Sequence, residues 1–424
     1  MTSTAVSRAQ QGIWGPPKAL ALCISTPDVS PDINNAEVLD IFSKHKELVS
    51  LPVVENGRPF GLINRHIFMS QMSRPFFHEL YDKKSCIAFM DKNPLIVDAE
   101  TSLNDVAAQT VISGDKSLTD GFIITENGRY IGIGLGIDLI KAVSDMHSQQ
   151  HQQIMQSIEY ARVIQEAMLA TSRQSMSGSL SDWCLVWEPR DCVGGDCYYF
   201  KTYRHGWLAC VADCTGHGVP GAFMTLIFAS ALEQALTLHG PETPALLLQA
   251  INRHIKDTLG QCDKERRPSS NDGCDVILIF CDTAHSTLAW AGARMCAFML
   301  KQQTEQLCIL PSDRMGVGYT DTPYDYAWPG HQLSLDAGDL FFTTTDGLTD
   351  QIGGERQVMF GKRRLQELLL RYQDKPMQEF SSLLSQQHLS YQGNQVRRDD
   401  LTFWAFRHRP TFARATFLPP GDAK

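Results

Sequence analysis

The chain places aspartates at four points where a run of strand-forming residues begins or stops: Asp196 in VGGDCYYF, Asp213 in WLACVADCTGHG, Asp346 in LFFTTTDGLTD, and Asp399 with Asp400 in RRDDLTFWAF. Singly, each has a plain structural reading, because Asp-Gly favours turns and Asp caps helices. Together they form a set of hard oxygen donors, the ligand type that Mg²⁺ and Mn²⁺ select. A pair of such ions can activate a bridging water and hold a phosphoryl group for in-line attack. Competing chemistries lack their residues. The sequence has no GxSxG nucleophile turn and no GxxxxGK[ST] phosphate loop. Its one Cys-x5-Arg spacing, Cys184 to Arg190, encloses LVWEP, a strand ending in proline with no glycine to turn amides toward a phosphate. Twelve cysteines scatter from Cys23 to Cys308 without a CxxC pair and read as reduced, buried thiols. A zinc site built from Cys192, Cys197, Cys210 and Cys214 is the alternative.

These carboxylates need elements to bring them together. GWLACVAD reads as an apolar strand ending at Asp213, followed by a loop with Gly216, Gly218 and Gly221 and a helix starting near Pro220. Phe and Thr carry a strand into Asp346-Gly347, and an alternating strand follows Asp399-Asp400. Four acidic strand ends spread over about 200 residues converge if two sheets are sandwiched. The segment 262 to 275, CDKERRPSSNDGCD, reads as a polar surface flap whose Asp272 and Asp275 are candidates for an extra metal or for substrate. His217 in the glycine loop is a candidate proton donor or orienting partner. Arg294 is a candidate phosphate contact or salt-bridge partner of a motif carboxylate.

Ahead of this region, LPVVENGRPFGLI at 51 to 63 and FIITENGRYIGIG at 122 to 134 repeat one pattern. In each, a strand precedes Asn-Gly, the strongest short hairpin signal, and a second strand follows, with helix-like stretches on both sides. From Asp138 to about Ser172 the chain lacks Pro and Gly, and apolar residues recur at Ile140, Val143, Ile154, Ala161, Ile164 and Met168. This spacing predicts one long helix, coiled-coil-like or a solvated linker. Ser and Gly in TSRQSMSGSLSD predict its end near residue 175.

The two 60-residue units resemble a tandem cystathionine-β-synthase (CBS) repeat, a regulatory module that often holds adenine nucleotides. At the family's Ser/Thr and Asp nucleotide-contact positions this chain has Asn64 and Ile67 in the first repeat, and Leu135 and Asp138 in the second. Only Asp138 keeps the pattern, as a candidate regulatory-ligand contact. The motifs VGGD (193 to 196), DCTGHGVPGAFM (213 to 224), TDGLTDQIGG (345 to 354) and DDLT (399 to 402) resemble the bacterial SpoIIE-like branch of the metal-dependent PPM (PP2C-type) Ser/Thr protein phosphatases. The likeness runs over residues 155 to 408 and points to the SiaA-like subgroup. It implies that Asp196 and Asp213 are catalytic and bind two Mn²⁺ or Mg²⁺ ions, with Asp346, Asp399 and the backbone carbonyl of Cys214 completing the ligand set. A third ion is a further possibility of the family, and Asp400 is a candidate for the shell around the ligands or for substrate.

The fold class this implies is α+β: a CBS-like pair, a long helical linker and a PPM-type double β-sheet sandwich flanked by helices. The expected boundaries are a flexible N-terminus over 1 to 20, the regulatory pair over 21 to 138, the linker over 139 to 175, the phosphatase over 176 to 410 and a tail over 411 to 424. Hydrophobic residues at 43% and charged residues at 20% fit a globular protein, and the formal charge of -9 with no basic run argues against nucleic acid as partner. The N-terminal 25 residues lack a signal-peptide order and a membrane-spanning run, so a cytoplasmic protein without a membrane is expected. The resemblance implies a phosphorylated regulatory protein as substrate, a sulfate-transporter and anti-sigma antagonist (STAS) protein or one like the SiaA target, reset by a cognate kinase. A homodimer is also expected. The alternatives are a pseudophosphatase scaffold, marked by weak Mn²⁺ binding, and a nucleotide sensor, which the missing Ser/Thr positions disfavour.

Overall fold

The structure is a computed structural model that describes residues 17–262, 270–295 and 297–409. The chain forms two compact units, Met1–Ile154 and Met155–Lys424.

In the first unit, α1 (Asn35–Lys44) is capped by Asn34, whose side chain accepts from the Glu37 amide. It leads into the hairpin of β1 (Ser50–Glu55) and β2 (Arg58–Asn64), then α2 (Arg65–Met72) and α3 (Phe77–Tyr81). The second repeat has β3 (Ile96–Asp98), α4 (Leu103–Ser113), α5 (Asp115–Asp120) and the hairpin of β4 (Phe122–Glu126) and β5 (Arg129–Gly134). Both turns are Asn-Gly with positive φ at each residue, 53° and 78° at Asn56-Gly57, 52° and 76° at Asn127-Gly128. That is the twist a two-residue hairpin needs. Each repeat has its own core, around Phe42, Val53 and Phe68 in one and Val106, Phe122 and Ile124 in the other. Asn64, at a nucleotide-contact position by resemblance, is used within the unit: its oxygen caps α2 at Ile67 and its amide donates to buried Asp120 at 2.6 Å.

Helix α6 spans Gly136–Ser179, past the expected end near residue 175. Gln165, Leu169, Ser172 and Met176, spaced i, i+4, i+7 and i+11, are all buried, and Leu169 and Met176 join the core of the second unit. Tertiary burial of this stripe holds the helix through Gly178 against the low propensity of Ser and Gly.

The second unit continues with β6 (Trp183–Glu188), β7 (Asp196–Tyr203), β8 (Gly206–Cys214), α7 (Gly218–His239), α8 (Pro244–Leu259), β9 (Cys274–Asp282) and β10 (Thr287–Ala293). Then come β11 (Ala297–Lys301), β12 (Gln306–Leu310), β13 (His331–Ser334), β14 (Leu340–Thr344), α9 (Asp346–Thr349), β15 (Ile352–Gly353), β16 (Val358–Met359), α10 (Gly361–Arg371), α11 (Met377–Gln392) and β17 (Leu401–Arg407). Two five-stranded antiparallel sheets form, β13-β10-β9-β8-β7 and β12-β11-β14-β17-β6. Phe200 and Trp207 from the first sheet meet Phe341, Trp404 and Phe406 from the second, with Phe200 and Trp207 stacked at 5.2 Å and Trp207 edge-on to Trp404 at 5.9 Å. Phe228, Leu232 and Ile251 of α7 and α8 extend this core, while Leu365, Phe380 and Leu384 of α10 and α11 cover the other face of the second sheet. Strand β17 departs from the expected half-buried alternation. Leu401, Phe403 and Ala405 enter one core and Trp404 and Phe406 the other, so the strand is buried on both faces.

Helix α7 has the length and apolar composition of a membrane span. Its Phe228, Ala231, Leu232 and Ala235 are instead committed to the protein core.

Candidate active site

Sheet register brings the first carboxylates together. Asp196 lies opposite Asp213 across β7 and β8, and Asp213 lies opposite Asp275 across β8 and β9. Directly opposed residues share a face, so three neighbouring strands carry one row of carboxyls. The second sheet supplies the others: β14 ends into α9, which begins at Asp346, and β17 begins just after Asp399 and Asp400. Thr345 joins the sheets here. Its hydroxyl donates to Asp196 Oδ2 at 2.8 Å, and the Thr402 amide donates to that hydroxyl at 3.0 Å.

The row is electrostatically loaded. Burial pushes Asp196 and Asp213 well above the usual carboxylate range, and neighbouring carboxylates push them further. Burial also raises Asp346, and repulsion from Asp350 and Asp399 adds to it. Asp275 is raised to about 6 by burial, with Arg294 pulling it back, and its Oδ1 is buried without a hydrogen-bond partner. Asp399 is close enough to add charge repulsion to Asp196, Asp213 and Asp346. Asp213, Asp275 and Asp346 line one cleft with Arg294, Thr345 and Lys362.

Asp400 stands apart from this set. Its two oxygens accept the Arg190 and Gly195 amides at 2.6 Å each, so it ties the DDLT segment to the loop before Asp196. Gly194 makes room for it, since a Cβ there would lie 2.7 Å from the Asp400 carboxylate. The glycine loop is equally tight. Gly216 and Gly218 have φ of 89° and 66°, and a Cβ on Gly221 would meet the Gly216 carbonyl at 2.2 Å. Cys214 donates its amide to the Gly195 carbonyl at 3.0 Å, and its own carbonyl crowds Gly195.

The remaining candidates take up varied positions. His217 precedes α7 and pairs through Nδ1 with Asp191 Oδ2 at 2.8 Å. Arg294 lies over the Tyr319 ring at 4.5 Å, between Asp275 at 3.8 Å and Asp321 at 3.5 Å. Asp272 is held by its backbone, its amide and carbonyl both bonded to Gln261. Residues 263–269 of the expected flap lie outside the described residues. Asp138 lies in the first turn of α6. Cysteines 197, 214 and 274 sit together, with Cys214 and Cys274 sulfurs 3.0 Å apart. All described cysteines are free thiols. Among the described residues no group of three or more Cys, His, Asp or Glu side chains is arranged to hold a metal ion, so neither the cysteine set nor the aspartate row is a preformed coordination shell.

Sequence reasoning missed two residues that organise the site. Thr345 was hidden in a Thr-rich strand. Gln165, on α6, donates to the Gly194 carbonyl at 2.8 Å and accepts from the Gly194 amide at 3.2 Å. Its spacing to Leu169, Ser172 and Met176 is the signal that marks it as inward-facing.

Comparison with known proteins bears on the family of the chain. The family model for Stage II sporulation protein E (SpoIIE) matches residues 203–409, and the CBS domain model matches residues 27–74 and 86–145. The SiaA-PP2C domain of Pseudomonas aeruginosa is 30% identical, with a TM-score of 0.55, covering 61% of this chain and 99% of that domain. The phosphatase domain with a regulatory fragment of SpoIIE from Bacillus subtilis is 16% identical at a TM-score of 0.43, covering 54% of this chain and 63% of that one. The RsbU and RsbW domains of a Mycobacterium tuberculosis protein are 18% identical at a TM-score of 0.44, covering 54% and 60%. No curated protein matches the chain. On the strength of the SiaA-PP2C likeness over nearly that whole domain, together with the two family models, the chain belongs to the SpoIIE family of PP2C-type serine phosphatases and carries a CBS pair ahead of its phosphatase domain.

Proposed function

We propose that the enzyme hydrolyses phosphoserine or phosphothreonine on a folded regulatory protein with the help of two Mn²⁺ or Mg²⁺ ions, under the control of its CBS pair. The observation that carries this reading is the Asp196–Asp213–Asp275 row facing Asp346 and Asp399. The residues fit hard cations: every donor is oxygen, the carboxyls of Asp196 and Asp213 repel one another, and Asp275 Oδ1, although 3.8 Å from Arg294, is buried with no hydrogen-bond partner. Asp196, Asp213, Asp346, Asp399 and the Cys214 carbonyl would hold the ions, with water completing their shells. Bound there, the ions would lower the pKa of water and polarise the phosphoryl group.

The chain's own residues have distinct tasks in this scheme. Asp213, central in the row, is raised by burial and then by its neighbours Asp196, Asp346, Asp399 and Asp275. Thr345 favours the ionised form of Asp196 by donating to it. Asp400 and Gly194 fix the loop that presents Asp196, and Arg294 offers its guanidinium to phosphate oxygens at the cleft. Selectivity then comes from docking of the partner protein, a STAS-like protein or one like the SiaA target, opposed by its kinase. In this reading the protein acts in the cytoplasm as a homodimer, which light scattering at micromolar concentration would show, and a monomer there would remove the dimer from the scheme.

The deciding experiment is hydrolysis of a generic phosphoester by the full-length protein. Activity should require Mn²⁺ or Mg²⁺ and fall at least about 1,000-fold in Asp213→Ala, because Asp213 would be one of the residues holding the ions that lower the pKa of water. Undiminished turnover in EDTA, or in the variant, defeats the assignment. The docking reading predicts much faster turnover of one folded phosphoprotein than of its denatured peptide, and equal rates contradict it.

A further inference from the structure

The hairpin of β15 and β16 holds two neighbouring apolar residues in solvent, Val358 and Met359, 46% and 50% exposed. Adjacent strand residues point to opposite faces, so packing of either face on the core would have covered one of them. Val396, in the loop ahead of Asp399, is 80% exposed. Gln351 joins the two segments: its side chain donates to the Val396 carbonyl at 3.1 Å and accepts from the Arg398 amide at 3.3 Å, and its own carbonyl accepts the Phe360 amide at 2.8 Å. The surroundings are basic. From Glu355 to Arg364 one acid stands against four bases, in a chain of net charge -9. Arg364 is engaged internally, donating to the Met359 and Phe360 carbonyls and lying over the Tyr391 ring at 4.6 Å. Arg356 in the hairpin turn and Arg363 at the start of α10 face water, and the pair of Arg363 with Glu367 is an exposed one of little strength. Lys362 lies on the wall of the acidic cleft with Asp213, Asp275 and Asp346. The rim beside Arg294 differs, because Asp321 meets that guanidinium at 3.5 Å.

We infer that the surface running from the β15–β16 turn through the start of α10 to Lys362 is where the phosphorylated partner protein docks, and that the partner meets it with acidic side chains flanking its phosphoresidue. The inference rests on the phosphatase reading and names the chemistry of the partner. A phosphate dianion that approaches a row of carboxyls is repelled until it reaches the ions they hold, so attraction has to come from the flank of the cleft. Arg356, Lys362 and Arg363 supply it on this side, leading up to the cleft wall. Acids beside the phosphoresidue would be drawn to the same flank and fix the orientation of approach, whereas a basic partner would be repelled by it. Val358, Met359 and Val396 give the surface an apolar centre within a charged rim, the anatomy of a protein interface.

The test gives the full-length protein, with Mn²⁺, three esters: p-nitrophenyl phosphate, a phosphoserine peptide flanked on both sides by Glu and Leu, and the same peptide with Lys for each Glu. The acidic peptide should have a kcat/KM at least about tenfold above that of the basic one at low salt, and about 0.5 M NaCl should narrow the gap. The double variant Arg356→Glu with Arg363→Glu should lower kcat/KM for the acidic peptide about five- to tenfold and raise it for the basic one. Turnover of p-nitrophenyl phosphate should stay unchanged, because neither residue lines the cleft. Both side chains are exposed, so the variant should melt with the wild type. Equal kcat/KM for the two peptides, or an acidic preference that the double variant keeps, would overturn the docking surface while p-nitrophenyl phosphate turnover leaves the phosphatase reading standing. If none of the three esters is hydrolysed, the phosphatase reading itself fails and the docking surface falls with it.

Discussion

Replacing Thr345 by valine keeps the shape of the side chain and removes one hydroxyl with two duties. The hydroxyl donates to Asp196 at 2.8 Å and accepts from the Thr402 amide at 3.0 Å, and both partners are buried. Losing the bond to Asp196 costs about 1–2 kcal/mol, and stranding the Thr402 amide costs about 1–3 kcal/mol, for a total near 3 kcal/mol. Thr345→Ser keeps both bonds and gives up a methyl group, about 1 kcal/mol. For a unit of this size about 1 kcal/mol moves Tm by roughly 2–4 °C, so valine should lower Tm by about 6–12 °C and serine by about 2–4 °C. Tryptophan fluorescence is a suitable monitor, because six of the seven tryptophans lie between Trp183 and Trp404. The variants should also separate in Mn²⁺ affinity, valine weaker and serine near wild type, because valine raises the cost of ionising Asp196. Equal Tm values for the two variants would refute the claim that this hydroxyl bonds the two sheets together at the acidic row.

Two further outcomes follow from the same geometry. Without metal, stability should rise as pH falls from 7.5 to 5.5: Asp275 titrates near 6 when folded and near 4 when unfolded, so the folded state binds more protons across that window, and Asp196, Asp213, Asp346 and Asp400 shift in the same direction. Thermal melts in EDTA would show this, with a shallower slope for Asp275→Asn, and a Tm that falls on acidification would contradict it. A fragment beginning at residue 155 should fold and one beginning at residue 176 should be strongly destabilised, because the second loses Gln165, Leu169 and Ser172 from buried positions; equal melting of the two fragments would show that the helix adds nothing.

Much of the architecture is legible in the sequence because its signals are local. Asn56-Gly57 and Asn127-Gly128 announce the hairpins, and each motif aspartate falls at one end of a strand. The convergence of the acidic residues is not local. Whether Asp275 faces Asp213 depends on a register between β8 and β9 that a shift of one residue would reverse, and no composition rule fixes it. The helix end was misplaced because Ser and Gly lower propensity, while burial of Met176 is invisible until the sheet it meets is known. The resemblance separates Asp399, a metal ligand, from Asp400 beside it, but that backbone amides absorb both oxygens of Asp400 is visible only in three dimensions.

The paired bonds from Gln165 to Gly194 bear on how such proteins can be recombined. A glycine in the loop ahead of Asp196 has both its peptide N–H and its carbonyl satisfied by a side chain that belongs to the incoming helix, 29 positions earlier. Chain exchange that joins a different sensory module after this glutamine would leave those groups bare in an apolar interior. The permissible splice point therefore lies upstream of Gln165, and a transplanted module inherits the last turns of the helix along with the enzyme it is meant to govern.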